Sequence, residues 1–240
     1  MNSSDRSGPV LVAEALRFAW PGAGSLCIDI ERFEVAAGEA VFLHGPSGCG
    51  KSTLLSLAAG VLLPQAGRVA LLGTDWSALS GAGRDRRRVD HVGYIFQQFN
   101  LLPYLSVIDN VLLPCRFSAR RRAQAARDDA SPRAQAERLL MQMGLDAALW
   151  RRDALQLSVG QQQRVAAARA LIGHPELVIA DEPTSALDED RRAAFLDMLL
   201  AACEANRSAL VFVSHDRRIA ERFGRHVLLP EINRAARIEA

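Results

Sequence analysis

Residues 39–62 constrain this chain more than any other stretch. A short apolar run, Glu39-Ala40-Val41-Phe42-Leu43-His44, stops at Gly45-Pro46-Ser47-Gly48-Cys49-Gly50-Lys51-Ser52, and a helical apolar pattern follows from Lys51 to Leu62. The run has the length and composition of a buried parallel strand. The eight residues after it match G-x-x-x-x-G-K-[ST] without a mismatch, in the strand-to-helix context that the motif requires. Glycines let backbone N–H groups turn inward and surround phosphate oxygens. The helix that opens at the loop adds roughly half a positive charge at its N-terminus. Lys51 is expected to reach the β- and γ-phosphates of a nucleoside triphosphate, and Ser52 to offer its hydroxyl to Mg²⁺. Composition sharpens the point, because Lys51 is the only lysine among 29 basic residues. In an Arg-rich chain, a compact and mobile ammonium is kept where a broad planar guanidinium would not serve.

Two further apolar runs end in chemistry. Leu177-Val178-Ile179-Ala180 stops at Asp181-Glu182, and Ala209-Leu210-Val211-Phe212-Val213 stops at Ser214-His215. The strand ending at Asp181 is expected to lie beside the strand ending at Gly45. Asp181 would then face Mg²⁺, and Glu182 would orient and deprotonate a water at the γ-phosphate. His215 would donate to the γ-phosphate or hold Glu182 and that water. His44, His91, His174 and His226 lack such a placement and read as incidental.

The rest of the chain supports an alternation of strands and helices. Val10–Phe18, Cys27–Val35, Arg68–Leu72 and His91–Phe96 read as strands, and Asp188–Glu204 as a helix. Alternation of this kind implies an α/β fold with a parallel sheet whose active edge lies at the strand C-termini. Leu101–Leu157, rich in Ala, Arg, Leu and Gln, reads as a mainly helical lobe inserted into that core, with the charged segment Ala119–Arg133 forming a solvated helix face.

Composition excludes several classes. A net charge of +2 gives no support for nucleic acid as a partner. No apolar run is long enough to span a bilayer. Met1–Arg6 lacks the charged-then-apolar pattern of a secretory leader, so a cytosolic protein is expected. Four cysteines without paired or zinc spacing read as reduced thiols.

Leu157-Ser158-Val159-Gly160-Gln161-Gln162-Gln163-Arg164 narrows the field. Ser158 and the Gly160 N–H, opening a helix, form a second anion site. The stretch resembles the signature sequence of ATP-binding cassette (ABC) ATPases, usually Leu-Ser-Gly-Gly-Gln. In the same register, Gln97 of Tyr94-Ile95-Phe96-Gln97 resembles the Q-loop glutamine, Ser185-Ala186-Leu187-Asp188 the D-loop, and His215 the switch histidine. The resemblance covers about residues 9–230 as one ABC ATPase domain. It implies a P-loop NTPase core at approximately 9–98 and 158–230, an N-terminal antiparallel β subdomain, and an inserted helical lobe at approximately 99–157. It further implies an ATPase using ATP and Mg²⁺. Nucleotide contacts would come from Gly45 to Thr53, from Trp20 stacking on adenine, and from Ser158, Gly160 and Gln161. Metal contacts would come from Ser52, Gln97 and Asp181, and catalysis would involve Glu182, His215 and Gln97.

With one P-loop and one signature per chain, the resemblance implies a homodimer that shares two ATP sites. Phe99-Asn100-Leu101-Leu102-Pro103 with Ser106–Val111, and the Ser-Val-Gly-Gln variant of the signature, resemble stand-alone subunits of the macrolide-exporter and lipoprotein-releasing (DevA-like) type. Such subunits imply a peripheral location on the inner face of the cell membrane, held by a separate transmembrane permease that docks near Leu101–Leu105. A cell-division type regulator of a membrane complex and an importer ATPase are the alternatives. Val159 stands where the family usually has Gly; a β-branched residue is poor at φ > 0, so φ < 0 is expected there. Leu228–Asn233 departs from the usual family ending and carries no expected role.

Overall fold

The computed structural model describes residues 8–185 and 187–237. The chain runs β1 (Pro9–Phe18), β2 (Ile28–Ala36), β3 (Ala40–His44), α1 (Lys51–Ala58), β4 (Ala66–Leu71), β5 (Thr74–Asp75), α2 (Gly81–His91), β6 (Val92–Ile95), α3 (Val107–Phe117), α4 (Ala119–Asp129), α5 (Pro132–Gln142), α6 (Val159–Leu171), β7 (Leu177–Asp181), α7 (Glu189–Asn206), β8 (Ala209–Val213), β9 (Arg225–Leu228) and α8 (Leu229–Ile232). Two sheets form. One is antiparallel, in the order β2-β1-β4-β5; the other is parallel, in the order β6-β7-β8-β3-β9.

The central strands are apolar without interruption because both faces of the parallel sheet are covered. Side chains alternate between two cores. Val41 and Leu43, Leu177 and Ile179, and Val211 and Val213 face the antiparallel sheet and α1. Phe42, Val178, Ala180, Leu210 and Phe212 face the helices on the other side. Each fully buried Val, Leu or Phe contributes about 1.5–3 kcal/mol, so these five-residue strands are anchored from both sides. Serines mark the helix starts: Ser106, Ser118, Ser131 and Ser158 accept from backbone N–H groups of α3, α4, α5 and α6.

Three expectations change. The strand ending at Asp181 does not lie beside the strand ending at Gly45, because β8 pairs with both and separates them. Connections link neighbours in sequence, but here the crossover through α7 returns β8 into the gap, two strand spacings of about 4.8 Å each apart. Helix α1 ends at Ala58 rather than Leu62, since Gly60 takes φ 67° and breaks the repeat. The charged segment at Ala119 is only in part a solvated face: Arg122, Arg127 and Asp128 are exposed, but Arg121 is not. Arg121 is 1% exposed and donates to the carbonyls of Val92 (2.7 Å), Ile172 (3.2 Å) and Ala170 (3.4 Å), and burial lowers its pKa to about 10. Arg120 pairs with Glu176. A guanidinium fork satisfies several carbonyls at once.

Candidate functional site

All five parallel strands point the same way, so their C-terminal ends share one edge. Ile95 is level with Ala180, Asp181 with Val213, and His44 with Leu228. The residues within two positions of each strand end therefore share that edge: Gln97, Glu182, His215, Gly45 and Leu229.

Gly45 to Gly50 turns tightly off β3. A Cβ on Gly45 would sit 2.8 Å from Cys49 Sγ, and one on Gly50 would sit 2.9 Å from Ile28 Cδ1 and 3.2 Å from the Cys27 carbonyl. Gly50 also takes φ 102°, which L side chains disfavour, and it precedes α1 without any side-chain cap. The first amides of α1 are thus free of side-chain acceptors and lie under the positive end of the helix. The Lys51 ammonium folds over the loop and donates to the carbonyls of Gly45 (2.9 Å) and Pro46 (3.0 Å). Pro46, Ser47 and Gly48 are exposed along the rim, and Cys49 and Thr53 are buried beneath it. Cys27 Sγ donates to Thr53 Oγ1 at 3.5 Å, which brings the loop end of the β1–β2 hairpin against α1.

Asp181 faces this loop despite the intervening strand, near enough for Ser52 and Lys51 to act on its carboxyl group. Burial and the neighbouring Glu182 carboxylate raise the Asp181 pKa, and Ser52 and Lys51 pull it part of the way back. Glu182 leaves the strand with φ 48°, an uncommon conformation for a residue with a Cβ, costing about 1 kcal/mol. Its N–H donates to the Val213 carbonyl at 3.0 Å, and its Oε1 lies 2.5 Å from His215 Nε2.

Gln97 is exposed two residues beyond β6. The backbone after it is held by Arg169 of α6, which donates to the carbonyls of Phe99 (2.5 Å) and Asn100 (2.7 Å), both at positive φ. Trp20 is 47% exposed and meets Phe18 edge-on at 5.3 Å. Ser158 caps α6: its Oγ accepts from Gln161 N–H, and Gln161 Oε1 accepts from Ser158 N–H at 2.9 Å. Val159 is the first helical residue, 49% exposed, and is not among the residues with positive φ, as expected. A Cβ on Gly160 would lie 3.6 Å from Leu187 Cδ2, so the signature touches the D-loop stretch of its own chain. Ala186 of that stretch lies outside the described residues. His91, His174 and His226 make structural contacts with Glu176, Asp128 and the Phe223 carbonyl.

Two contributors were not legible. Arg192 of α7 donates to the Leu187 carbonyl (2.9 Å) and pairs with Asp216, tying the D-loop stretch to the residue after His215. Arg218 adds a second hold on Asp216, whose pKa falls to about 2, chiefly through the hydrogen bond from Arg218. Asn233 is completely buried against the underside of the phosphate loop. One arginine in an Arg-rich chain and a lone Asn at 233 carry no motif.

The arrangement suits a divalent cation bound with a polyphosphate. Hard oxygen donors, Ser52 Oγ and the Asp181 carboxylate, lie on the same side of the loop, and a carboxyl whose charge is disfavoured by burial and by Glu182 gains from a cation beside it. The basic loop and helix end supply the anion half of the site.

Residues 29–185 match the model of the family described as ABC transporter. Over 229 residues the chain is 42% identical to the lipoprotein-releasing system ATP-binding protein LolD of Novosphingobium aromaticivorans, covering 94% of this chain and 98% of that protein. It is 39% identical to the protein of the same name from Legionella pneumophila over 197 residues, covering 82% and 83%. Among solved structures it resembles the dimeric ATP-binding cassette MJ0796 bound to ADP and Pi, with a TM-score of 0.77 and 30% identity over 91% of this chain and 93% of that one. No helix among the described residues is long and apolar enough to cross a membrane.

Proposed function

We propose, from the premise that this chain belongs to the ABC transporter family and is an ATP-hydrolysing subunit of a transport complex, that two copies close on two ATP molecules and drive a separate membrane subunit. The observation that carries this reading is the convergence on one sheet edge of the Lys51 loop, Asp181 facing it, and the Glu182–His215 contact.

In this reading the loop amides and Lys51 neutralise the phosphates. Ser52, Asp181 and Gln97 hold Mg²⁺, which supplies charge neutralisation at the phosphate oxygens. Trp20 stacks on the base. Glu182 accepts the proton of the water that attacks the γ-phosphorus, while the bond to the β–γ bridging oxygen breaks. His215 fixes the Glu182 carboxylate in the direction needed. Ser158, Gly160 and Gln161 of the second copy complete the γ-phosphate contacts from the N-terminus of their helix. The capping box leaves Ser158 exposed at that terminus, and helical Val159 leaves the Gly160 amide at the same terminus. The similar MJ0796 cassette is dimeric in its ADP- and Pi-bound structure, which supports the composite site.

The membrane partner is placed at the side of the Q-loop. There a groove of about 380 Å³ opens between Phe96, Asn100, Leu113, Pro114, Phe117 and Arg169. Apolar walls with few polar groups suit a short helix from a partner. Residues 99–157 would act as the lobe that leads into the signature at Ser158 and supplies part of this groove. Because the similar proteins are named for lipoprotein release, we place this chain on the inner face of a membrane in an export complex of that type.

Lys51→Ala tests the site. ATP turnover should fall by about a hundredfold or more, because the loop loses its only mobile cation. Undiminished turnover would remove the loop from the mechanism.

A further inference from the structure

We propose that Asn233 is a positioning residue for the phosphate-binding loop, acting from the C-terminal segment that closes the underside of the site. The inference rests on the ATP-binding reading above.

Asn233 is 0% exposed, and every polar atom of its side chain is used. Oδ1 accepts from the Asp29 N–H at 2.8 Å and the Ala235 N–H at 3.3 Å. Nδ2 donates to the Cys27 carbonyl at 3.0 Å and to the Cys49 carbonyl at 3.3 Å. The segment before it also presses on the other end of the loop: a Cβ on Gly45 would meet Pro230 Cδ at 3.1 Å and Leu229 Cβ at 3.8 Å. One short segment therefore contacts the loop at both Gly45 and Cys49, and pins it to the start of β2.

The link to phosphate binding is the peptide plane. In a trans peptide, the C=O and the following N–H point in opposite directions. Holding the Cys49 carbonyl against Asn233 turns the Gly50 N–H away from Asn233, toward the interior of the loop. Gly50, at φ 102°, has a wide choice of conformations, so this orientation has to be imposed. A loop held ready before ligand arrives binds without an ordering penalty. Bound phosphate would itself reorder a loosened loop, so loss of Asn233 should appear in KM and not in kcat.

The test compares wild type, Asn233→Ala and Arg234→Ala in steady-state ATPase assays run well below each protein's Tm. Asn233→Ala should raise KM for ATP roughly fivefold or more, with kcat changed by less than about twofold. Arg234→Ala removes only the exposed pair with Glu31, and should keep the wild-type KM. An unchanged KM in Asn233→Ala, whatever its Tm, would overturn the proposal, as would an equal rise in Arg234→Ala. Should Asn233→Ala not fold, hydrogen exchange on wild type decides the matter. By linkage, ATP with EDTA should slow exchange of the Asp29 and Asn233 amides; no change would overturn the proposal. A wild type that does not bind ATP would instead defeat the underlying reading.

Discussion

Glu182 Oε1 lies 2.5 Å from His215 Nε2 across the ends of the adjacent strands β7 and β8. The two residues are held from opposite sides. Glu182 is fixed by its left-handed backbone and by its N–H bond to the Val213 carbonyl. His215 is followed by Asp216, which Arg192 and Arg218 hold. The general-base role proposed for Glu182 would need its lone pair aimed as well as present, and this contact would supply the aim.

Replacing His215 by Ala should therefore lower kcat about 10–100-fold while nucleotide affinity changes little. The measurement is steady-state turnover alongside equilibrium binding of ATP. Loss of affinity with kcat preserved would reassign His215 to ground-state binding.

Trp20→Ala should raise KM for ATP with kcat at saturation nearly unchanged, because stacking on a base is made equally before and during the reaction. Trp20 sits half exposed beyond β1, edge-on to Phe18. Unaltered KM would take Trp20 out of the site.

Asp216 gives the account a pH dependence. Its pKa is lowered from 3.8 to about 2, first by the hydrogen bond from Arg218 and then through further contacts that include the charge of Arg192. A depressed carboxylate stabilises the fold above its unfolded pKa, and that contribution fades as pH falls toward the folded value. Asp216→Asn should therefore be less stable than wild type near neutrality, and the difference should shrink between about pH 4 and pH 2. Denaturant unfolding of both proteins across that range checks the sign. A gap that stays constant or widens at low pH would contradict it.

Much of this site could be read before any coordinates. The strand-to-helix loop at Gly45–Ser52, the acids after β7 and the histidine after β8 each end an uninterrupted apolar run, and a buried strand leaves few other places for polar residues. The order of strands was not readable, because sequence neighbours need not be sheet neighbours: β8 entered between β3 and β7. Helix α2 escaped notice because none of its residues is buried, so it has no apolar stripe to find. Arg121 was hidden for the opposite reason. A buried cation inside a basic run looks the same as a solvated one until its carbonyl partners are known. Asn233 depends on three segments far apart in the chain, Cys27–Asp29, Cys49 and its own turn, and no local pattern announces such a meeting.

The central claim is that ATP is clasped between the Lys51 loop of one copy and the Ser158–Gly160 helix start of another. Glu182→Gln tests it most directly. The amide keeps the shape of the carboxylate but cannot take up a proton, so turnover should drop by about 10²–10⁴ while ATP still binds. With hydrolysis blocked, the variant should run as a dimer in size-exclusion chromatography when Mg²⁺ and ATP are present, and as a monomer without nucleotide. A variant that binds ATP yet remains monomeric under those conditions would contradict the shared site.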